Sequence, residues 1–306
     1  MAEDFAIFCG NASRRLGEAI ARTLGVRAGN AVIERFPDGE VSVEIEETVR
    51  RKDVFIVQST APPVNDHLME ILAFADAARR ASAAHVIAVM PYFGYSRSDR
   101  RLGKRRPVTA RLVADLLEAA GIDHVITLDL HASQIEGFFR IPVDSCSAVS
   151  VLCSAVARAV PSDTVVVSPD AGRLPMATEY ARHLDASVIL LHKARDSATE
   201  TRVTHLVGDV RDRPCLIVDD MISTGGTIAE GAGALLRAGA RRGIFVAATH
   251  GVLLEGARAR LTAEPMADLF VTDTIEHVAD DWPTRHVVSV APLLADAVQR
   301  LISDPL

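Results

Sequence analysis

The chain has 306 residues, 49% of them hydrophobic and 24% charged, with a formal net charge of −7. That length exceeds one ordinary small domain and favours two α/β domains, while no apolar run approaches the roughly 18 residues that span a bilayer. The acidic balance argues against a broad nucleic-acid-binding face and leaves room only for local anion sites, so neither nucleic acid nor membrane is an expected partner.

From the N-terminus, "MAEDFAIFCG" opens on acids with no basic patch before its apolar run, unlike a secretory leader, and the cytoplasm is the expected location. "FAIFC" and "DVFIVQS" read as short buried strands. Between them, in "FPDGEVSVEIEETV", Val41, Val43 and Ile45 alternate with Ser42, Glu44 and Glu46, the pattern of a half-exposed antiparallel hairpin strand. "HVIAVMPY" is the next strand. Behind it, "RSDRRLGKRR" packs six basic residues into Arg97–Arg106, either a solvated charge run or an anion site for which Tyr92, Phe93 and Tyr95 form a wall. A helix is predicted between Thr109 and Ala120, with Leu112, Val113, Leu116 and Leu117 as one core-facing stripe.

Further strands follow in "HVITLDL", "TVVVSPD", "SVILLHK", "CLIVDD", "GIFVAAT", "DLFVTDT" and "HVVSV", separated by helical patterns. Strands apolar on both sides that alternate with helices predict mostly parallel sheets covered on both faces. An internal echo pairs "ARRASAAHVIAVMPYFG" with "LLRAGARRGIFVAATHG", and "HVITLDLHASQ" with "CLIVDDMISTGG"; it places a boundary near residues 145–150. Cys9, Cys146, Cys153 and Cys215 form no C-x-x-C pair and read as small core residues.

One stretch carries chemistry of its own. In "LIVDDMISTGGT", Asp219 and Asp220 end an apolar strand, and Ser223, Thr224, Gly225, Gly226 and Thr227 lead into a helix around Ile228–Arg237. Ligands of parallel sheets bind beyond the carboxyl ends of strands. Adjacent acids accept hydrogen bonds from vicinal hydroxyls, and the backbone N–H groups of a helix start suit a phosphate. An acid pair joined to a phosphate loop describes a site for a sugar phosphate.

This stretch resembles the signature of the phosphoribosyl pyrophosphate binding fold, and "RFPDGEVSVEI", "VFIVQST", "NDHLMEIL", "VMPYFGYSRSDRR" and "VTARLVADLLEAAGIDHVITLDLHASQIEGFF" resemble the family of phosphoribosyl pyrophosphate synthases. The resemblance implies two tandem phosphoribosyltransferase-like α/β domains, 1–147 and 148–306, each a mostly parallel sheet flanked by helices. It implies transfer of the diphosphoryl group of ATP to the 1-hydroxyl of ribose 5-phosphate, with Mg2+ as cofactor, in a homo-oligomer, a dimer or a hexamer. Phe36, Asp38, Gly39 and Glu40 then match the adenine-binding hairpin, Arg97 and Ser98 the ATP-binding loop of the first half. Asp129, His131 and Asp170 match metal-site residues, with Asp144 a further acid of that signature. Lys193 and Arg195 match the catalytic pair on a mobile loop, Arg195 also reaching ribose 5-phosphate, which Asp219, Asp220 and Ser223–Thr227 would hold.

The pattern also breaks. Arg173 stands where the family usually has glycine, Ser98 where glutamine is usual and Arg140 in place of an aspartate, and no "RRP" follows the catalytic lysine. A non-catalytic regulatory homologue of the synthase and a phosphoribosyltransferase are the alternative functions.

Overall fold

A computed structural model describes residues 4–101, 103, 105–195, 201–277 and 281–303, with residues 193–195 and 201–204 described by their backbone. It divides into two compact units: Met1–Ser147 with Thr274–Glu276 and Ser289–Leu306, and Ala148–Asp273 with His277–Val288. Unit 1 contains β1 (Phe5–Cys9), α1 (Arg14–Thr23), β2 (Ala31–Arg35), β3 (Val41–Ile45), β4 (Asp53–Val57), α2 (Val64–Arg80), β5 (His85–Met90), α3 (Thr109–Ala119), β6 (His124–Leu128) and β7 (Val143–Cys146). Its main sheet runs β1-β4-β5-β6-β7, every pair parallel.

Unit 2 contains α4 (Val149–Val156), β8 (Val165–Ser168), α5 (Leu174–Leu184), β9 (Val188–Arg195), β10 (Thr201–Val207), β11 (Cys215–Ile222), α6 (Gly226–Arg237), β12 (Ile244–Gly251), α7 (Ala257–Thr262), β13 (Met266–Thr272) and β14 (Arg285–Val288). Its sheet runs β10-β9-β8-β11-β12-β13-β14, parallel except where β10 turns back on β9. The last helix, α8 (Ala291–Ser303), belongs to unit 1 and packs on α1, β6 and β7, where Leu294, Ala295 and Val298 are buried. The second compact unit therefore ends before α8, whereas the sequence reading ran it continuously to residue 306. The helix carries an apolar stripe, and nothing in its local sequence says which core covers that stripe.

The parallel runs β1-β4-β5-β6-β7 and β8-β11-β12-β13-β14 have the same order, which gives the internal echo its register. In that register β5 matches β12, as the sequence suggested, but the counterpart of β11 is β4. The pairing of "HVITLDL" with "CLIVDD" is off by two strands, because both end on an acid and that end signal is not unique.

Each unit has its own core. In unit 1, Phe8 and Phe74 stand 5.5 Å apart and pack with Ile56, Val86, Val113 and Leu117, each fully buried apolar side chain contributing about 1.5–3 kcal/mol. In unit 2, Val167, Ile217, Leu235, Val246 and Leu261 fill the corresponding layer. The stripe predicted on α3 is half right. Val113 and Leu117 are buried, but Leu112 is 52% and Leu116 38% exposed, since these two, four residues apart, lie on the edge of the stripe that the core does not cover. Tyr92 and Phe93 are likewise core residues, 6% and 2% exposed, and not the wall of a binding site. No described helix is long and apolar enough to cross a membrane.

Candidate active site

In unit 2 the site is built at the carboxyl ends of β8 and β11. β11 does not stop before its acids. It runs on to Ile222, with Asp219 opposite Ala248 of β12, so both carboxylates lie inside the sheet at 8% and 1% exposure. Burial, and then the neighbouring Asp220, push the Asp219 carboxyl well above the usual carboxylate range, while Arg173 acts in the opposite direction. The Asp219 side chain also accepts the N–H of Asp220 at 2.9 Å.

The turn after β11 is held from outside. The N–H groups of Leu253 and Leu254 donate to the carbonyls of Ile222 and Ser223, and Arg260 Nη1 donates to Thr224 O at 2.6 Å. Gly225 closes the turn with φ +77°, a conformation that glycine adopts without strain, and α6 begins at Gly226 with no side chain capping its first turn. Thr224 and Thr227 are exposed, Ser223 and Gly226 half-buried. An uncapped helix start beside two buried acids suits an anion next to a diol.

Asp170 follows β8 and caps a short 3-10 turn, its Oδ1 accepting from the N–H groups of Gly172 and Arg173. Arg173 leaves that turn for the acid pair, with Nη1 3.5 Å from Asp220 Oδ2 and Nε 3.9 Å from Asp219 Oδ1. Sequence reasoning marked Arg173 only as a departure; a basic residue three positions after an acid gives no sign of reaching a strand more than forty residues on.

Lys193 and Arg195 lie in the β9–β10 ribbon, opposite Val203 and Thr201, and not in a loop. Their side chains, and residues 196–200, lie outside the described residues.

In unit 1, Phe36–Glu40 form the turn of the β2–β3 hairpin that the alternation predicted. The Phe36 N–H donates to Glu40 O and the Gly39 N–H to Phe36 O, both at 2.8 Å, Gly39 takes φ +96°, and Asp38 Oδ1 accepts from the Glu40 N–H at 3.1 Å. Phe36 is 46% exposed at the tip, and an ion pair of 2.7 Å between Arg35 and Asp66 ties the hairpin to α2. Arg97 is exposed. Ser98 supports the fold, since its Oγ accepts the Thr109 N–H at 3.2 Å and so caps α3 from a distance. Leu102 and Lys104 of the basic run lie outside the described residues.

Asp129 and His131 follow β6, both half-buried, and Asp129 has φ +36°, a strained value for a residue with a side chain. Asp144 is not drawn to them. It pairs with His124 Nε2 at 3.0 Å, at the other end of β6. Arg140 answers to Glu118 and Asp115 of α3, at 3.7 and 3.8 Å.

Among the described residues no group of three or more His, Cys, Asp or Glu side chains converges on one point. Asp129 and His131 in unit 1 and Asp170 in unit 2 are each half-buried. The carboxylates of Asp129 and Asp170 are hard oxygen donors that suit magnesium, which keeps several waters and binds largely through substrate phosphates; His131 offers a ring nitrogen instead. The thiols offer no nucleophile: burial pushes Cys9 and Cys153 up to about 12 and Cys215 to about 11.

Residues 5–121 match the family model of the N-terminal domain of ribose phosphate pyrophosphokinase, and residues 198–305 that of the phosphoribosyl synthetase-associated domain. A ribose-phosphate pyrophosphokinase of Agrobacterium fabrum is 46% identical over 297 residues, covering 96% of each chain. The chain belongs to the ribose-phosphate pyrophosphokinase family. A family member from Clostridium tetani is 44% identical and covers 97% of this chain and 94% of its own. The crystal structure of phosphoribosylpyrophosphate synthetase from Mycobacterium smegmatis superposes with a TM-score of 0.91 at 38% identity, covering 98% of this chain and 99% of that one. The matched structure agrees with the α/β fold, mostly parallel sheets flanked by helices, that the sequence predicted.

Proposed function

We propose that the chain transfers the diphosphoryl group of ATP to the 1-hydroxyl of ribose 5-phosphate, giving phosphoribosyl pyrophosphate and AMP. The observation that carries this reading is the buried Asp219–Asp220 pair leading directly into the uncapped start of α6, in a chain that matches pyrophosphokinases over nearly its whole length. The acids take the vicinal hydroxyls of the sugar, and the backbone of Ser223–Thr227 takes its 5-phosphate. Phe36, exposed at the hairpin tip, stacks on adenine, Asp38 and Glu40 accept from its amino group, and Arg97 meets the phosphates. Ser98 keeps Arg97 in place by anchoring that loop to α3.

In the reaction the 1-hydroxyl oxygen bonds to the β-phosphorus of ATP as the bond from that phosphorus to the α,β-bridging oxygen breaks; AMP departs and the hydroxyl proton goes to solvent. No protein nucleophile is needed. Lys193 and Arg195 act on the negative charge that spreads over the transferring oxygens, and Arg195 also on the sugar phosphate. Asp129, His131 and Asp170 would hold magnesium, which supplies charge neutralisation at the phosphates. The unit reaching Ser147 is on this reading the ATP-binding domain, and the unit from Ala148 carries the sugar phosphate and the catalytic ribbon. The protein works as a homo-oligomer in the cytoplasm.

The test is AMP release, with product detected by phosphorus NMR, from ATP, magnesium and ribose 5-phosphate, each omitted in turn. Turnover that needs all three is the expected result. Purified protein that forms neither AMP nor product with all three present would overturn the reading in favour of a regulatory homologue.

A further inference from the structure

The acid pair poses a problem that a glycine at position 173 would leave unsolved. Two adjacent carboxylates at 8% and 1% exposure repel each other and lack water, yet a carboxylate serves as a strong acceptor for sugar hydroxyls only while it is charged. Arg173 supplies a cation at that point. Its side chain is 15% exposed, and its guanidinium lies 3.5 Å from Asp220 and 3.9 Å from Asp219. These are ion-pair separations, longer than the roughly 2.7–3.2 Å of a close N–H···O bond, and they put the charge of the guanidinium beside both carboxylates.

Among the described residues, the buried or half-buried titratable groups on elements packed against β11 are Asp170 and Arg173 in the turn, Glu179 and Tyr180 on α5, Glu230 on α6 and His250 on β12; β8 contributes none. Arg173 is the fixed cation of that set, and its charge acts on Asp219 against burial and Asp220.

We propose that Arg173 is a positioning residue for the sugar: the built-in counter-ion that holds Asp219 and Asp220 ready to accept hydrogen bonds from a vicinal diol. The inference rests on the reading of that pair as the diol-binding acids. The sign of the expected effect follows from the charges. Burial and Asp220 raise the Asp219 carboxyl and Arg173 lowers it, so removing Arg173 raises it further. Asp219 then loses its charge at a higher pH, and diol binding fails at a higher pH with it.

The experiment is calorimetric titration of the full-length protein and its Arg173→Gln, Arg173→Gly and Arg173→Lys variants with ribose 5-phosphate, from about pH 6 to 9. The sugar's own phosphate ionises near pH 6 in every case, so only differences between proteins count. Circular dichroism checks that each variant folds, and Arg173→Gly places the residue usual in the family at this position should glutamine not be accommodated. Arg173→Gln and Arg173→Gly should bind about tenfold more weakly near pH 7, with the acid limb moved to higher pH. Arg173→Lys should keep the limb of the parent protein. Inorganic phosphate, which has no diol, should bind all four alike. An unmoved limb, tighter binding without the arginine, or an equal loss for inorganic phosphate would overturn the proposal while leaving the acid pair's role intact. A parent protein that does not bind ribose 5-phosphate at any pH would overturn the reading of the site itself.

Discussion

Replacing Gly225 by alanine should damage the turn that joins the acid pair to α6. With φ +77° the backbone is left-handed, which costs an alanine about 1–2 kcal/mol. Its Cβ would lie 2.9 Å from Leu261 Cγ and 3.0 Å from Leu261 Cδ2, and Leu261 is fully buried. Forced overlap in a filled core adds about 1–3 kcal/mol, for a sum of about 2–5. The turn cannot yield freely, because Arg260 holds Thr224 and Leu254 holds Ser223. Urea unfolding followed by circular dichroism measures the loss of stability, and calorimetry with ribose 5-phosphate should show weaker binding than in the parent protein. Adding Leu261→Ala removes the overlapping atoms, so the double variant should recover about 1–2 kcal/mol relative to the sum of the single effects, leaving the backbone strain in place. A Gly225→Ala protein within about 0.5 kcal/mol of the parent, with unchanged sugar binding, would refute the account of the turn.

Two further substitutions separate binding from chemistry. Phe36→Ala should leave stability almost untouched, because Phe36 is 46% exposed, but should raise the KM for ATP about 5- to 150-fold, the range of one lost base stack, without moving the KM for ribose 5-phosphate; steady-state kinetics with each substrate varied in turn decides it, and an equal change for both would detach the hairpin from adenine. Lys193→Ala should lower kcat by about 10²–10⁴ with little change in either KM, and near-normal turnover would move the charge-stabilising role away from the β9–β10 ribbon.

Much of the site was legible because its signals are short-range. The hairpin tip, the glycine turn before α6 and the acids of β11 each rest on a run of fewer than about fifteen residues whose periodicity or turn chemistry has one favourable reading. The readings that changed all needed a distant partner. Leu112 and Leu116 share a helical stripe with Val113 and Leu117, yet the stripe is wider than the face that the sheet covers. Tyr92 and Phe93 stand beside a basic run in sequence while their rings point into the core. Asp144 has the charge of a metal ligand but pairs with His124 across two strands.

The sequence by itself determined the elements: two sets of apolar strands alternating with helices, a half-exposed hairpin, and an acid pair followed by a glycine turn. These follow from side-chain periodicity and from the φ angles that glycine permits, which act over a few residues. Tertiary structure decided the common strand order of the two units, the return of α8 to unit 1, the burial of Asp219 and Asp220 inside β11, and the placing of Arg173 against them. Those depend on which surfaces lose water together. A carboxylate's charge is cheap in water and expensive in a sheet, so the worth of an arginine forty-odd positions away is fixed only once the fold has brought the two side by side.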